Sequence, residues 1–248
     1  MKVSIITITY NSAATLPATL ASVAHQDYAE IEHILVDGCS TDGTQQIIEQ
    51  YASEHQNVHY ISERDCGIYD AINKGIRLAS GAIIGTLNSD DILANSHVIS
   101  DIVSAFQSEE RPDVVYGDLV YCDGEKIIRM WKSNPFRLKS LKYGWMPPHP
   151  TFYCLRRVYN EQGLYDSHFR ISADYDFMLR VLKQPYRISY IPKVLVRMSI
   201  GGASNRNLRA LLLKSYEDRL AMRKNKVGAG TLTVLVKILR KGKQFLHR

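Results

Sequence analysis

The chain has 248 residues, of which 45% are hydrophobic and 23% are charged. These are ordinary globular proportions, so collagen-like, disordered and disulfide-scaffold proteins are excluded. A chain of this length can bury a large core, and its size favours one domain with a short appendage over two equal domains.

The net charge of +6 is concentrated near the C-terminal end of the chain. Residues 205–248 hold twelve Lys and Arg residues and two acids, which gives this segment a charge of +10 and leaves the preceding residues at −4. An acidic body repels phosphate backbones, so we expect no nucleic-acid partner.

The cysteines give neither a zinc pattern nor a disulfide framework, because they are widely spaced and form no CxxC pair. We therefore expect reduced thiols and a cytoplasmic enzyme. The N-terminus runs directly into a strand pattern, and no apolar run has the length of a signal peptide or the roughly 18 residues of a transmembrane helix. The cysteines are Cys39, Cys66, Cys122 and Cys154.

Two hydrophobic periods alternate along the first hundred residues. Short β-branched and apolar runs predict strands, and apolar residues at helical spacing follow each of them. The order βαβαβαβα predicts an α/β fold with a mostly parallel central sheet flanked by helices. The predicted strands cover residues 3–9, 31–37, 58–62 and 83–87, and the last of the four helices covers 97–107.

The pattern is less regular after residue 110. Strands are expected at 114–122 and 126–131, joined by a turn, followed by a proline-rich loop at 135–150. A short strand, a helix and two closing strands come next, and two further helices are expected from about residue 207, broken near 228–230. The short strand covers 151–155, the helix 174–182, and the closing strands 186–191 and 194–198.

Polar residues follow each of the four predicted parallel strands, where ligands bind in open α/β sheets. Each polar residue alone is also explained as a turn or cap residue. Their recurrence after four consecutive strands favours a shared binding site. These residues are Tyr10 and Asn11, Asp37, Asp65, and the run Asn88, Ser89, Asp90 and Asp91.

The adjacent carboxylates Asp90 and Asp91 are the sharpest local feature. Two like charges at a strand end repel each other unless a cation compensates them, and oxygen ligands suit Mg²⁺ or Mn²⁺. A substrate diphosphate and water molecules usually complete such a shell. The alternative is that Asp91 caps the next helix.

Several nucleotide-binding and catalytic motifs are missing. The chain has no GxGxxG after its first strand, no GxxxxGK[ST] and no GxSxG. A dinucleotide-dependent dehydrogenase, a P-loop NTPase and an α/β-hydrolase are therefore disfavoured.

Four motifs occur in order: SIITITYN (4–11), ILVDGCSTDGT (34–44), SERDCGIYDAINKG (62–75) and LNSDD (87–91). Together they resemble the inverting glycosyltransferases of family 2, which have the GT-A fold, and especially bacterial enzymes of capsule, O-antigen or colanic-acid-type polysaccharide assembly. The resemblance covers roughly residues 1–205, which would form the GT-A domain, and leaves 206–248 as a basic helical tail.

The resemblance implies a role for each matching residue. Asp90 and Asp91 correspond to the DxD-type element that holds Mn²⁺ or Mg²⁺ on the donor diphosphate, although Asn88 stands at its first position. Asn73 belongs to an Asn-x-Gly motif that supports the nucleotide loop. The implied nucleotide-binding residues are Thr9, Tyr10, Asn11, Asp37, Asp65, Gly67, Asn73, Ser89 and Asp90.

The family also has a late acidic motif that opens a helix. Here Asp174 falls at the position of the catalytic base, Ala173 replaces the usual Glu, and Asp176 is the second candidate. The alternative is that Asp174 only caps its helix. No late histidine that some relatives supply to the metal is found in the 197–204 turn.

The implied reaction is metal-dependent transfer, with inversion, of a sugar from a UDP-sugar to a hydroxyl of a glycan or lipid-linked acceptor. Trp145 and His149 would contact the acceptor, unless they only pack in the proline-rich loop, and Asp176 and Arg180 complete the acceptor candidates. Two alternative functions remain. The first is a sugar nucleotidyltransferase, although the chain has no Gly-rich loop of the kind that such an enzyme needs after its first strand, and the second is a non-catalytic nucleotide-sugar-binding module.

The end of the basic tail has an amphipathic helical pattern. Leu235, Ile238 and Leu239 fall on one face, and Lys237 and Arg240 fall on the other. Such a helix binds anionic membranes, which would suit a lipid-linked acceptor at the inner face of the plasma membrane. The alternative is that the helix packs on its own body or on a partner chain.

Overall fold

A computed structural model describes residues 1–200 and 208–228 of the chain. The strands are β1 (Val3–Thr9), β2 (Ile31–Asp37), β3 (Val58–Ser62), β4 (Ile83–Thr86), β5 (Ile92–Leu93), β6 (Val114–Asp123), β7 (Lys126–Trp131), β8 (Tyr153–Leu155) and β9 (Ile188–Ser199). The helices are α1 (Leu16–Ala24), α2 (Thr44–Glu54), α3 (Ile68–Leu78), α4 (Val98–Gln107), α5 (Arg156–Gln162), α6 (Ala173–Leu182) and α7 (Leu208–Lys224). Short 3₁₀ turns occur at Leu138–Tyr143 and His149–Thr151.

The first half of the sheet is parallel, in the order β3-β2-β1-β4. Thr9 pairs with Asp37, and Asp37 pairs with Ser62, so three neighbouring strands end at the same level. The loops that leave these strands therefore start side by side. This alignment confirms the expected α/β fold and places the predicted polar residues at one edge of the sheet.

The second half of the sheet is mixed. β8 lies antiparallel between β4 and β6, whereas β9 runs parallel to β6 and carries the short strand β5 on its other side. β7 forms the predicted hairpin with β6. These strands are joined by a hairpin and by short segments as well as by helices. The regular alternation of strand and helix patterns in the first hundred residues therefore does not continue into this half.

The two predicted closing strands form one continuous strand, β9. Its pairing with β6 shifts between Tyr116 and Leu119, close to Pro192, which has no N–H to donate to the ladder. Gly117 lies at this shift, where an added Cβ would come within 2.5 Å of the Leu195 side chain. The sequence suggested a break at the proline, and the structure accommodates it as an irregularity within the strand.

Helix α3 packs unusually close to the sheet. A Cβ added to Gly75 would lie 2.3 Å from Cγ2 of Ile6 on β1, so only glycine permits this approach. Two turns earlier, Gly67 begins the helix with a φ of 122°, which also favours glycine. Gly75 therefore fixes how near α3 lies to β1, and Gly67 permits the backbone conformation that begins the helix.

Helix α7 is fixed to the body of the protein. Glu217 accepts hydrogen bonds from the backbone N–H groups of Arg170, Ile171 and Ser172 at 2.8–3.0 Å, and Asp218 accepts one from the Ser172 hydroxyl at 2.8 Å. Both acids are buried. The first part of the predicted tail is therefore packed against α6, and the amphipathic pattern at 235–246 lies outside the described residues.

Within the described part of the chain, none of the helices is both long and apolar enough to cross a membrane.

His33 on β2 is fully buried, with its Nε2 3.0 Å from the hydroxyl of Thr7. Burial, helped by the nearby His55, lowers the pKa of His33 from an ordinary 6.5 to about 3. Between these values the unfolded chain binds a proton that the folded chain excludes. The stability that neutral His33 contributes is therefore complete above pH 6.5 and is lost as the pH falls towards 3.

We predict that His33→Asn weakens the acid sensitivity of the fold. Between pH 6.5 and about 4.5, wild type should lose about 2 kcal/mol more unfolding free energy than the variant, measured by urea denaturation. His59→Asn, on the exposed face of β3, is the matched control and should follow wild type. Parallel pH profiles for wild type and His33→Asn would contradict this account.

Candidate functional site

Hydrogen bonds tie three loops together at the carboxyl edge of the parallel strands. After β1, the backbone N–H of Asn11 donates to the Ser40 hydroxyl at 2.8 Å, and its side-chain oxygen accepts from the N–H of Thr41 at 2.9 Å. After β4, the hydroxyl of Ser89 donates to that of Ser12 at 2.9 Å. The loops after β1, β2 and β4 thus form one connected rim.

The carboxylate of Asp37 lies at the centre of this rim and has no exposed surface. It accepts hydrogen bonds from the Ser40 N–H at 3.0 Å, the Ser40 hydroxyl, the Ser62 hydroxyl at 2.7 Å and the Gln45 amide at 3.2 Å. Burial alone would raise the pKa of Asp37, but these donors together lower it. Asp37 therefore remains ionised and holds the loop in place, and its oxygens are already engaged within the protein.

Tyr10 and Asp65 lie on either side of Gly38. A Cβ added to Gly38 would be 2.7 Å from Oδ2 of Asp65 and 3.3 Å from Cδ2 of Tyr10, so a larger residue would push both side chains outward. Tyr10 is 66% exposed, which leaves its ring accessible. Asp65 accepts a hydrogen bond from the N–H of Gly67 at 2.9 Å, which fixes the carboxylate at the start of α3. The structure thus brings together two of the residues expected to contact the nucleotide.

Asn73 and Thr9 lie beneath this surface. The amide of Asn73 donates to the carbonyl of Tyr165 at 2.8 Å and accepts from the N–H of Tyr165 at 2.9 Å, so it joins α3 to the segment before α6. Its role in the structure is therefore to position two elements. Thr9, at the end of β1, is 5% exposed.

Asp90 and Asp91 have different surroundings. Asp91 is fully buried and accepts hydrogen bonds from the amide of Asn88 at 2.9 Å and from the N–H of Ser199 at 3.2 Å. Burial, together with the charge of Asp90, raises the pKa of Asp91 to about 8. Asp91 caps no helix, because β5 follows it and α4 begins only at Val98. Asp90 is only partly buried and is the carboxylate available to a ligand.

The donor set is suited to a cation that is bound jointly with substrate. The described residues contain no group of three or more His, Cys, Asp or Glu side chains arranged to hold a metal ion. One accessible carboxylate beside a second, buried one fits Mg²⁺ or Mn²⁺ if substrate phosphate and water supply the other ligands. A cation at Asp90 would also relieve the repulsion between the two carboxylates.

Asp174 lies in the first turn of α6, between a tyrosine and a histidine. Its Oδ1 is 3.0 Å from the hydroxyl of Tyr69, which also donates to the carbonyl of Ile171 at 2.6 Å. Its Oδ2 is 3.6 Å from Nδ1 of His149. Ser172 occupies the N-cap position, so Asp174 is not the residue that caps the helix.

His149 connects Asp174 with the other side of the cleft. Burial lowers the pKa of His149, so the ring is neutral at neutral pH. The charges of Asp174, Lys214 and Asp90 all act on this ring. The charges of the base candidate on α6, the carboxylate after β4 and a lysine on α7 therefore act on one histidine.

Lys214 is the residue that the sequence analysis missed. It was included in the basic tail, and nothing in its local sequence sets it apart from the other tail lysines. Only the docking of α7 against the segment before Asp174 brings Lys214 to the cleft.

The other acceptor candidates are placed differently. Trp145 is partly buried, donates its indole N–H to the carbonyl of Ser133 at 3.0 Å and packs against Phe136. Asp176 is fully buried and accepts hydrogen bonds from Arg180 and from two residues at the end of α7 and just after it, Lys224 and Asn225.

Arg180 also donates to the carbonyl of Leu164 at 2.6 Å. Asp176 and Arg180 therefore join α6 to its neighbours. Their side chains are thus engaged within the protein, and a contact of either with an acceptor stays a prediction.

Comparisons with known proteins agree on one family. The model for glycosyl transferase family 2 matches residues 4–175. A PGL/p-HBAD biosynthesis glycosyltransferase of Mycobacterium bovis is 31% identical over 239 residues, which cover 94% of this chain and 89% of the relative. The putative teichuronic acid biosynthesis glycosyltransferase TuaG of Bacillus subtilis is 39% identical over 90 residues, 36% of each chain.

Solved structures share the architecture at low sequence identity. TarS 1-349 of S. aureus superposes with a TM-score of 0.71 and 23% identity, over 91% of this chain and 64% of that one. A TarS 1-349 structure in complex with UDP-GlcNAc has the same TM-score at 21% identity, with 91% and 65% coverage. A mannosyltransferase from Pyrobaculum calidifontis, in complex with GDP-Man and Mn²⁺, gives 0.67 at 18% identity, over 99% of this chain and 70% of that one.

Proposed function

Because this chain belongs to glycosyl transferase family 2 and has the GT-A fold, it is a glycosyltransferase, and we propose that it transfers a sugar from a UDP-sugar to a hydroxyl of a glycan or lipid-linked acceptor with inversion. We further propose that the reaction uses Mn²⁺ or Mg²⁺ and serves cell-surface polysaccharide synthesis. Membership of the family disfavours the nucleotidyltransferase and the non-catalytic binding module as alternatives.

One observation carries the proposal: the charges of two carboxylates on different elements act on the same histidine. Asp90 belongs to the loop after β4 and Asp174 to α6, and both influence His149, whose Nδ1 is 3.6 Å from Oδ2 of Asp174. A displacement reaction needs a base on the acceptor side and charge stabilisation on the side of the leaving group. This arrangement provides a candidate group for each.

The donor nucleotide is proposed to lie on the rim formed by the loops after β1, β2 and β4, next to the loop after β3 that carries Asp65. The exposed ring of Tyr10 offers a surface on which the base can stack. Asp65 offers a hydrogen-bond acceptor next to Gly67, which has no side chain to keep a ligand away from the backbone. Asp37 would act indirectly by fixing the loop. The complex of TarS with UDP-GlcNAc supports a UDP-sugar donor, and the GDP-Man complex makes a GDP-sugar the competitor to test.

Metal use is supported by the chemistry of Asp90 and Asp91 and by the Mn²⁺ in the mannosyltransferase complex. We propose that Asp90 is a direct ligand and that Asp91 supports it from the buried side. When bound, the cation supplies positive charge that favours departure of the diphosphate.

In the proposed reaction, Asp174 takes the proton of the acceptor hydroxyl. The acceptor oxygen then forms a bond to the anomeric carbon as the bond to the donor diphosphate breaks, and the nucleoside diphosphate leaves with the electron pair. The hydroxyl of Tyr69 is within hydrogen-bond distance of the Ile171 carbonyl and of one oxygen of Asp174, and its single proton serves either acceptor. The other oxygen of Asp174 lies 3.6 Å from Nδ1 of His149.

We predict that Asp174→Asn lowers turnover by about 10²- to 10⁴-fold, because the amide cannot accept the proton. Nucleotide binding should be almost unchanged, since Asp174 lies on the acceptor side. Release of nucleoside diphosphate from the sugar donor, with and without acceptor, measures the first effect, and calorimetry measures the second. Asp123→Asn, in the exposed β6–β7 turn, is the control, and wild-type turnover in Asp174→Asn would exclude this residue as the base.

We predict that Mn²⁺ strengthens donor binding through Asp90. In thermal-shift assays with UDP- and GDP-sugars, Mn²⁺ should increase the stabilisation by the preferred donor in wild type, and EDTA should remove that increase. Asp90→Asn should lose the Mn²⁺-dependent part and keep the metal-free part. A donor shift that is identical with Mn²⁺ and with EDTA in wild type would refute metal use.

We also propose that the C-terminal segment binds an anionic membrane surface. The outer side of α7 supports this, because it exposes Leu212 and Tyr216 beside the basic residues Arg209 and Arg223. Residues 231–248 add five further Lys and Arg residues.

We predict that deleting residues 231–248 reduces co-sedimentation with vesicles of phosphatidylglycerol and phosphatidylethanolamine, because both apolar and electrostatic contacts are lost. Neutral phosphatidylcholine vesicles serve as the control and should retain little of either protein. Equal pelleting of both proteins with the anionic vesicles would remove the membrane role of this segment.

A further inference from the structure

Lys214 is held at the cleft by the same helix face that anchors α7. It lies three and four residues before Glu217 and Asp218, and residues at these spacings share one side of a helix. Glu217 and Asp218 bind the backbone and the hydroxyl of Ser172, two residues before Asp174. The side chain of Lys214 therefore starts about one helical turn, roughly 5 Å, from this anchor.

The surroundings of Lys214 keep it charged. Burial alone would lower the pKa of the ammonium, but the charges of Asp218, Asp174, Tyr121 and Glu217 together raise it. The side chain is partly buried, and its ammonium forms no ion pair with the described residues. Lys214 thus presents a positive charge that is not paired with a carboxylate of the described residues.

The charge of Lys214 reaches residues that are also influenced by the acids after β4 and on α6. Its charge acts on His149, as do the charges of Asp174 and Asp90. It also acts on Tyr121, as does the charge of Asp91. In the proposed function, the donor's bond to be broken lies between the carboxylate of Asp90 and the base on α6. Lys214 is anchored about one helical turn from the segment that carries this base, and its charge acts on His149 together with those of Asp174 and Asp90.

The cleft needs positive charge when a nucleoside diphosphate is present. Asp65, Asp90 and Asp174 contribute negative charge, and the diphosphate adds more. Lys74, near Asp65, is already paired with Glu63 at 3.0 Å and donates to the carbonyl of Arg64 at 2.6 Å. One divalent cation at Asp90 would leave part of this charge uncompensated.

We propose that Lys214 binds the diphosphate of the sugar donor and stabilises the charge on the nucleoside diphosphate as it leaves. The ammonium stays protonated throughout and acts as a point charge, as lysines at phosphate sites do. This inference rests on the proposed function, since it assigns a further group to the same donor site.

Two possible roles of Lys214, keeping Asp174 ionised or binding the diphosphate, lead to different experimental results. If the lysine serves mainly to keep Asp174 ionised, its removal should change the pH profile of kcat and leave the affinity for nucleoside diphosphate unchanged. If it binds the diphosphate, the affinity should fall, and it should fall more for a diphosphate than for the matching monophosphate.

The test compares wild type with Lys214→Met and Lys214→Arg. Calorimetry with UDP and UMP, and with GDP and GMP, each with Mn²⁺ and with EDTA, gives the affinities. Lys193→Met, which removes a lysine paired with Asp101 at 2.7 Å, is the matched charge control. Thermal unfolding checks that each variant is folded. If Lys214→Met is not folded, Lys214→Gln is used in its place.

We expect Lys214→Met to weaken binding of the diphosphate by roughly 10- to 100-fold and to reduce its advantage over the monophosphate, most strongly in EDTA. Lys214→Arg should keep most of the affinity, and Lys193→Met should match wild type. An unchanged diphosphate-to-monophosphate ratio in a folded Lys214→Met overturns the inference while leaving the proposed function intact. A wild-type protein that binds none of these nucleotides overturns both.

Discussion

The buried carboxylate of Asp37 is the interaction on which the edge of the sheet depends. A charge without exposed surface is costly unless hydrogen bonds compensate it, and Asp37 receives them from Ser40, Ser62 and Gln45. These donors belong to the loop after β2, to the end of β3 and to α2. Since Ser40 also accepts from the backbone of Asn11, the loop after β1 is fixed by the same arrangement.

A second group of buried acids organises the opposite side of the cleft. Glu217 gathers three consecutive backbone N–H groups, and its neighbour Asp218 holds the Ser172 hydroxyl immediately before α6. The first turn of α6, which carries Asp174, is thereby attached to α7. The C-terminal helix is consequently part of the catalytic domain in a physical sense, because the position of the proposed base depends on it.

The acids of the cleft divide into two kinds according to burial. Asp37, Asp91 and Asp176 are fully buried, and their oxygens are bonded within the protein. Asp90 and Asp174 keep part of their surface, and the charges of both act on His149. Residue type alone does not distinguish these two kinds, because all five are aspartates that follow a strand or begin a helix. Burial and hydrogen-bond partners do distinguish them.

The sequence by itself determined the parallel half of the sheet, the family and the edge at which the site forms. Strands β1 to β4 are short apolar runs whose ends carry recognisable motifs, and the local period of such runs survives in the folded protein. The motifs also indicated Asp90 and Asp174 as candidates, because Asp90 lies in the loop after β4 and Asp174 in the first turn of α6.

Only the tertiary structure decided which of these side chains reach the cleft. Strand β5 has two residues, too few for a period, and it is stabilised by pairing with β9. The place of Lys214 results from the docking of α7, to which contacts more than 40 residues apart in the chain contribute. Such long-range contacts leave no trace in local spacing, since they depend on how the elements pack in space.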